Sequence, residues 1–158
     1  MGETRNRTML IYVVAIIIPV AVGILSAFLT GNNMMIFAEL NKPPLAPPAW
    51  LFPVAWTILY VLMGLASARI CLSGHPSTMK IMAVYVVQLI FNFFWSIIFF
   101  NFSMYWIATA WLLVMWLLIL TFIKMSVGVD IVAVVCFIPY AIWCTFAMYL
   151  NIGVAVLN

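Results

Sequence analysis

Charge is what this chain has least of. Only 6% of its 158 residues are Asp, Glu, Lys or Arg. The net charge of +3 comes from scattered residues and forms no patch, which argues against a nucleic-acid partner. Acidic groups are the scarcest: Glu3 and Glu39 lie outside the long apolar runs and Asp130 stands at the start of one, where a capping or helix-dipole role suits it. With no carboxylate inside those runs, general acid–base chemistry and proton-coupled pumping have no residues to use. The single histidine, His75 in "SGHPS", is four residues after Cys71, and a lone Cys–His pair is too few ligands for a metal site. Cys71, Cys136 and Cys144 make no disulfide framework and read as packing residues. The residues therefore nominate no catalytic group, no metal and no required cofactor.

What the chain has instead is apolar surface. Hydrophobic residues make up 69% of it, far more than a soluble domain of this length could hide, so the lipid bilayer is its solvent. Five nearly continuous apolar runs, at about 9–29, 50–68, 79–100, 102–123 and 131–151, are each long enough to cross roughly 30 Å of hydrocarbon as a helix. Continuous runs differ from the alternating pattern of a membrane barrel. The expected fold is one all-α integral membrane domain, residues 1–158, built as a five-helix bundle. Short links between the later runs make sequential helices antiparallel neighbours. Basic residues near the run ends divide five (Arg5, Arg7, Arg69, Lys80, Lys124) against one (Lys42). That asymmetry predicts a multi-pass protein with a cytoplasmic N-terminus.

The one long connection, about 30–49, holds "NKPPLAPP" and must be extended, since each proline restricts the residue before it. Gly31, Asn32 and Asn33 read as the end of the first helix, and Pro47 and Pro48 as the first turn of the second. Three runs carry aromatic and polar residues at helical spacing: Phe52, Trp56 and Tyr60; then Tyr85, Gln88, Asn92, Trp95 and Phe99; then Pro139, Trp143, Ala147 and Asn151. Such stripes either pack helices together or line a cavity. The proline-rich lip favours a cavity of Trp56, Tyr60, Asn92, Trp95 and Trp143 suited to a large flat guest. In the fourth run Trp106, Trp111 and Trp116 are five apart, which spreads them around the helix and predicts a mostly lipid-facing element. The first run offers Gly23, Ser26 and Ala27, a small-residue face for close packing, with Pro19 expected to bend it.

Three segments carry a family resemblance: "LNKPPLAPPAWLFPVAWTILYVLMGLA", "VVQLIFNFFWSIIFF" and "IPYAIWCTFAMYLN". Their order and separation resemble the translocator proteins, also called tryptophan-rich sensory proteins or peripheral-type benzodiazepine receptors. The resemblance implies five transmembrane helices, usually a homodimer, and a pocket for porphyrins (protoporphyrin IX or haem) and for isoquinoline or benzodiazepine ligands. By motif, Trp56 and Trp143 match the tryptophans that approach the ligand. Tyr60, Asn92, Trp95 and Ala147 match pocket-lining positions, and Pro47, Phe52, Ser96 and Phe99 match its wall. Leu45 stands where the family often has tryptophan, and no basic residue follows Lys124, so the cholesterol motif of vertebrate members is missing. The short chain looks like a prokaryotic member of the cell membrane. The functions implied are tetrapyrrole sensing, sequestration or transport. The alternatives are light- and oxygen-dependent porphyrin breakdown at Trp56 and Trp143, or a ligand-free scaffold.

Overall fold

The computed structural model describes residues 2–31 and 39–158. Among the described residues five helices are long and apolar enough to cross a membrane: α1 (Gly2–Thr30), α2 (Leu51–Leu72), α3 (Thr78–Ser96), α4 (Tyr105–Ser126) and α5 (Ile131–Leu157). A π-helical turn, Ile97–Asn101, continues α3 to the membrane-spanning length. Helices dominate because in hydrocarbon only intrahelical bonds can satisfy every backbone N–H and C=O. No strand occurs among the described residues. Pro19 does not interrupt α1, which runs unbroken through it. The Asn32 and Asn33 part of the expected helix end lies outside the described residues.

Two expectations need correction. Pro47 and Pro48 are not in the first turn of α2: the helix begins at Leu51, with Trp50 at its N-cap. Proline at 48 disfavours helical geometry at 47, so the chain passes through a turn, in which Leu51 N–H donates to the Pro48 carbonyl at 3.0 Å, before the helix starts. Nor is α4 mostly lipid-facing. Ala108, Leu112, Met115, Ile119 and Phe122 form a buried stripe, and α4 packs against both α3 and α5. Its spread tryptophans reach neighbours on two sides. Trp111 Nε1 donates to the Phe91 carbonyl at 2.8 Å, and Trp116 Nε1 donates to Thr145 Oγ1 at 3.0 Å. Trp106 alone of the three is exposed. The least buried helix is α1.

Close packing of α1 on α2 depends on two glycines. A Cβ on Gly64 would meet the backbone of Ile16 and Ala15, and one on Gly23 would meet the ring of Tyr60. The small-residue face of α1 is thus spent, at Gly23, on contact within the bundle. A third glycine, Gly153 of α5, receives the ring of Pro43. Tyr149 Oη donates to the Pro44 carbonyl at 2.6 Å, and Asn158 Oδ1 accepts from Asn41 N at 3.1 Å. The proline-rich loop therefore lies along the end of α5. Leu45, in the left-handed region at φ 69°, is 83% exposed at the loop surface.

At the opposite end, Asp130 caps α5, accepting from Ala133 N at 3.0 Å, and pairs with Arg69 of α2 at 2.7 Å. Burial pulls this carboxyl upward, but the Arg69 guanidinium and the amides of Ala133 and Val132 outweigh it and hold it below the ordinary carboxylate range. A carboxylate lowered by folding stabilises the fold fully above its unfolded pKa, about 3.9. That contribution is lost as pH falls through the lower folded value. Thermal unfolding of wild type should accordingly lose midpoint more steeply than Asp130→Asn on acidification from about pH 5 to 3. Parallel curves for the two proteins would remove the ion pair from the account.

Candidate functional site

A hollow of about 270 Å³ lies between α1, α2 and the end of α3. Helix α1 contributes Val20, Gly23, Ile24, Ser26, Ala27 and Thr30. From α2 come Phe52, Pro53, Trp56, Thr57 and Tyr60, with Ala49 just before the helix. Trp95 and Ser96 end α3, and Phe100 enters from the π-helical turn. The exposed wall residues are Ile24 and Ala27 of α1, Pro53 and Thr57 of α2 and Ala49 just before it, so the open side faces outward between those two helices and toward the end of the proline-rich loop. A second hollow of about 20 Å³ is lined by Phe52, Trp95, Phe99, Phe100, Ala147, Leu150 and Asn151.

Aromatic rings form the inner wall. Trp56 stacks on Tyr60 with centroids 5.5 Å apart and planes 30° apart, and tilts 34° from Trp95 at 6.4 Å. Its edge meets Tyr140 at 6.1 Å. The four-residue spacing of Phe52, Trp56 and Tyr60 brings all three to one face of α2, and the π-helical turn allows both Phe99 and Phe100 to contact Trp95.

Behind the wall, polar groups are tied to one another. Tyr60 Oη donates to Asn92 Oδ1 at 2.7 Å, Asn92 Nδ2 donates to Tyr140 Oη at 2.9 Å, and Tyr140 Oη donates to Gln88 Oε1 at 3.0 Å. This chain joins α2, α3 and α5. A second set joins α3, α4 and α5: Trp95 Nε1 donates to Asn151 Oδ1 at 3.2 Å, and Asn151 Nδ2 donates to Thr109 Oγ1 at 2.6 Å and the Tyr105 carbonyl at 3.0 Å. In hydrocarbon such amides have no water to fall back on, so these bonds fix which helix faces meet.

The residues nominated from the sequence divide accordingly. Phe52, Trp56, Tyr60, Trp95 and Ser96 line the large hollow. Phe99 and Ala147 line the small one, where Phe52 and Trp95 also appear. Asn92, Trp143 and Pro47 line neither. Asn92 is buried in the hydrogen-bonded chain, and Trp143 meets Phe52 edge-on at 6.0 Å. The stripes of α2, α3 and α5 thus meet through both ring contacts and hydrogen bonds, and α1 walls the main hollow on the other side. The α1 wall was missed by sequence reasoning. Its signal was the spacing of Gly23, Ser26, Ala27 and Thr30, small residues on one helical face. Tyr140, fully buried, joins Asn92 to Gln88 at the centre of the hydrogen-bonded chain.

The described residues hold no group of three or more His, Cys, Asp or Glu able to bind a metal ion. His75 sits exposed in its turn, its Nδ1 accepting from Ser77 N at 3.1 Å. The hollow therefore offers ring faces and a few hydroxyls, and no titrating acid or base.

Comparison with known proteins matches residues 15–157 to the TspO/MBR family. A tryptophan-rich sensory protein of Cereibacter sphaeroides is 41% identical over 123 residues, 77% of this chain and 76% of that protein. Protein CrtK of Rhodobacter capsulatus is 35% identical over 126 residues, 77% and 78% of the two chains. Tryptophan-rich protein TspO of Chlorobaculum tepidum is 31% identical over 166 aligned positions covering 97% and 99%.

Proposed function

The chain belongs to the TspO/MBR family, and we propose that it holds a flat apolar guest in the hollow between α1, α2 and α3. The guest class is a tetrapyrrole such as protoporphyrin IX or haem, or a benzodiazepine- or isoquinoline-type molecule. The observation that carries this reading is the bank of rings: Tyr60, Trp56 and Trp95 lie within 34° of parallel at each step. Such a bank matches a planar aromatic guest and gains from offset stacking. A volume of about 270 Å³ is just under the usual range for small-molecule sites, about 300–1,000 Å³, and the open side lets a larger ring extend between α1 and α2.

Holding, for sensing, sequestration or transport, asks nothing more of the residues. Photo-oxidative breakdown asks for Trp56 and Trp143 on one guest, and only Trp56 is on the wall; Trp143 reaches it through Phe52. Phe52, which borders both hollows, stands between Trp143 and that wall. The cytoplasmic N-terminus and a homodimer belong to the same proposal.

Protoporphyrin IX added to the protein in lipid nanodiscs should quench tryptophan fluorescence saturably. Trp56→Phe should weaken binding about 3- to 10-fold, the scale of one ring pair. Trp106→Phe, on the exposed face of α4, should leave it alone. Non-saturable quenching, or equal affinity in wild type and Trp56→Phe, would remove the cavity from the reading.

A further inference from the structure

Hydroxyls inside these helices mostly satisfy themselves. Thr57, Ser67, Thr109, Thr121 and Thr145 each donate to a carbonyl three or four residues earlier in their own helix. Thr30 does the same, donating to the Ser26 carbonyl at 2.8 Å. Back-bonding of this kind is the ordinary solution where water is excluded. Ser26 departs from it. The residue is 3% exposed, and its Oγ is closed off from solvent with no hydrogen-bond partner. Ser126 shares that condition but lines neither hollow, whereas Ser26 is part of the large one.

Four other donors on the wall are already committed, while Trp56 Nε1 and Ser96 Oγ make no hydrogen bond but are not closed off as Ser26 Oγ is. Thr30 and Thr57 give their protons to their own helices, Tyr60 to Asn92, and Trp95 to Asn151. The fully buried hydroxyl left with an unspent proton is on α1, across from the ring bank of α2 and α3. A closed-off, unpaired donor in an apolar cavity discriminates by whether the guest answers it, because a guest that does not answer leaves the donor buried and unpaired.

We propose that Ser26 is the polar anchor of this cavity, donating its O–H to an oxygen acceptor on the edge of the guest. Resting on the proposed occupancy of the hollow, the inference narrows the guest class. It takes flat apolar molecules bearing a carbonyl, ester or carboxylate oxygen on the side facing α1, in preference to equally flat molecules edged only with alkyl groups. Ring faces would supply the bulk of the contact, and Ser26 the orientation.

Two porphyrins test this: mesoporphyrin IX dimethyl ester, with ester carbonyls at its edge, and etioporphyrin, with alkyl groups only. Binding to wild type, Ser26→Ala and Ser26→Cys in nanodiscs is followed by tryptophan quenching, and thermal unfolding is measured without ligand. Wild type should bind the ester about tenfold more tightly than etioporphyrin, equivalent to about 1.4 kcal/mol. Ser26→Ala should abolish that preference by weakening the ester alone. Ser26→Cys, with a weak donor, should fall between. The unliganded midpoint of Ser26→Ala should match or exceed wild type, since an unpaired hydroxyl has been removed. Equal loss for both porphyrins, no loss for either, or a lowered unliganded midpoint would overturn the Ser26 assignment while leaving the cavity reading intact. Failure of both porphyrins to bind wild type would overturn the cavity reading itself, and the anchor with it.

Discussion

Gly64→Val is expected to lower stability by about 3 kcal/mol, near the top of the usual range for overpacking. The reason is what lies opposite. A Cβ at Gly64 would meet the Cα of Ile16 and the carbonyl oxygen of Ala15, backbone atoms that cannot swing aside as a side-chain tip can. Relief requires α1 to move away from α2. Even alanine should destabilise here, against its helix-propensity advantage of about 1 kcal/mol over glycine. The same separation would widen the hollow, most of whose wall comes from these two helices. Gly128→Val is the control, because a Cβ there meets nothing within 4 Å. Thermal unfolding in a mild detergent reads both. A Gly64→Val midpoint equal to that of Gly128→Val would mean that the helices do not approach as described.

Asn92→Leu carries the second large effect, about 2–3 kcal/mol. The amide stands between two phenols, accepting from Tyr60 and donating to Tyr140. Leucine keeps the approximate volume but strands the Tyr60 proton in the bundle interior, while Tyr140 retains Gln88. Because an unmade bond costs more than an absent pair, adding Tyr60→Phe to Asn92→Leu should recover part of the loss. The double variant would then be more stable than Asn92→Leu alone, although each single change is destabilising. Simple additivity of the two losses would show that Tyr60 and Asn92 do not depend on each other. Since Tyr60 also walls the hollow, Asn92→Leu should weaken porphyrin binding without touching the guest.

Much of this was legible from residue order. Continuous apolar runs can be satisfied in lipid only by helices, so five runs mean five spans. The intervals of three and four from Gln88 through Asn92 to Trp95 put those side chains on one face of α3, and all three are buried. What a single helix cannot state is which neighbour receives that face. Asn92 was nominated for the cavity and is a tie between helices; Trp111 and Trp116, five apart, suggested lipid and instead donate to α3 and α5. Periodicity distinguishes the faces of one cylinder, whereas partner choice depends on all five. The hollow was harder still. Small residues at Gly23, Ser26 and Ala27 permit a tight seam or a gap equally well, and the chain uses them for both. Gly23 admits the ring of Tyr60, and all three border the empty volume beside it.

The seating of Pro43 on Gly153, with Tyr149 gripping the Pro44 carbonyl, makes the loop a rider on α5. Rocking of that helix deep in the bilayer would carry the exposed side chains of Lys42 and Leu45 along the water-facing rim. A spin label or dye at residue 45 would then register, from outside the membrane, a motion that begins within it.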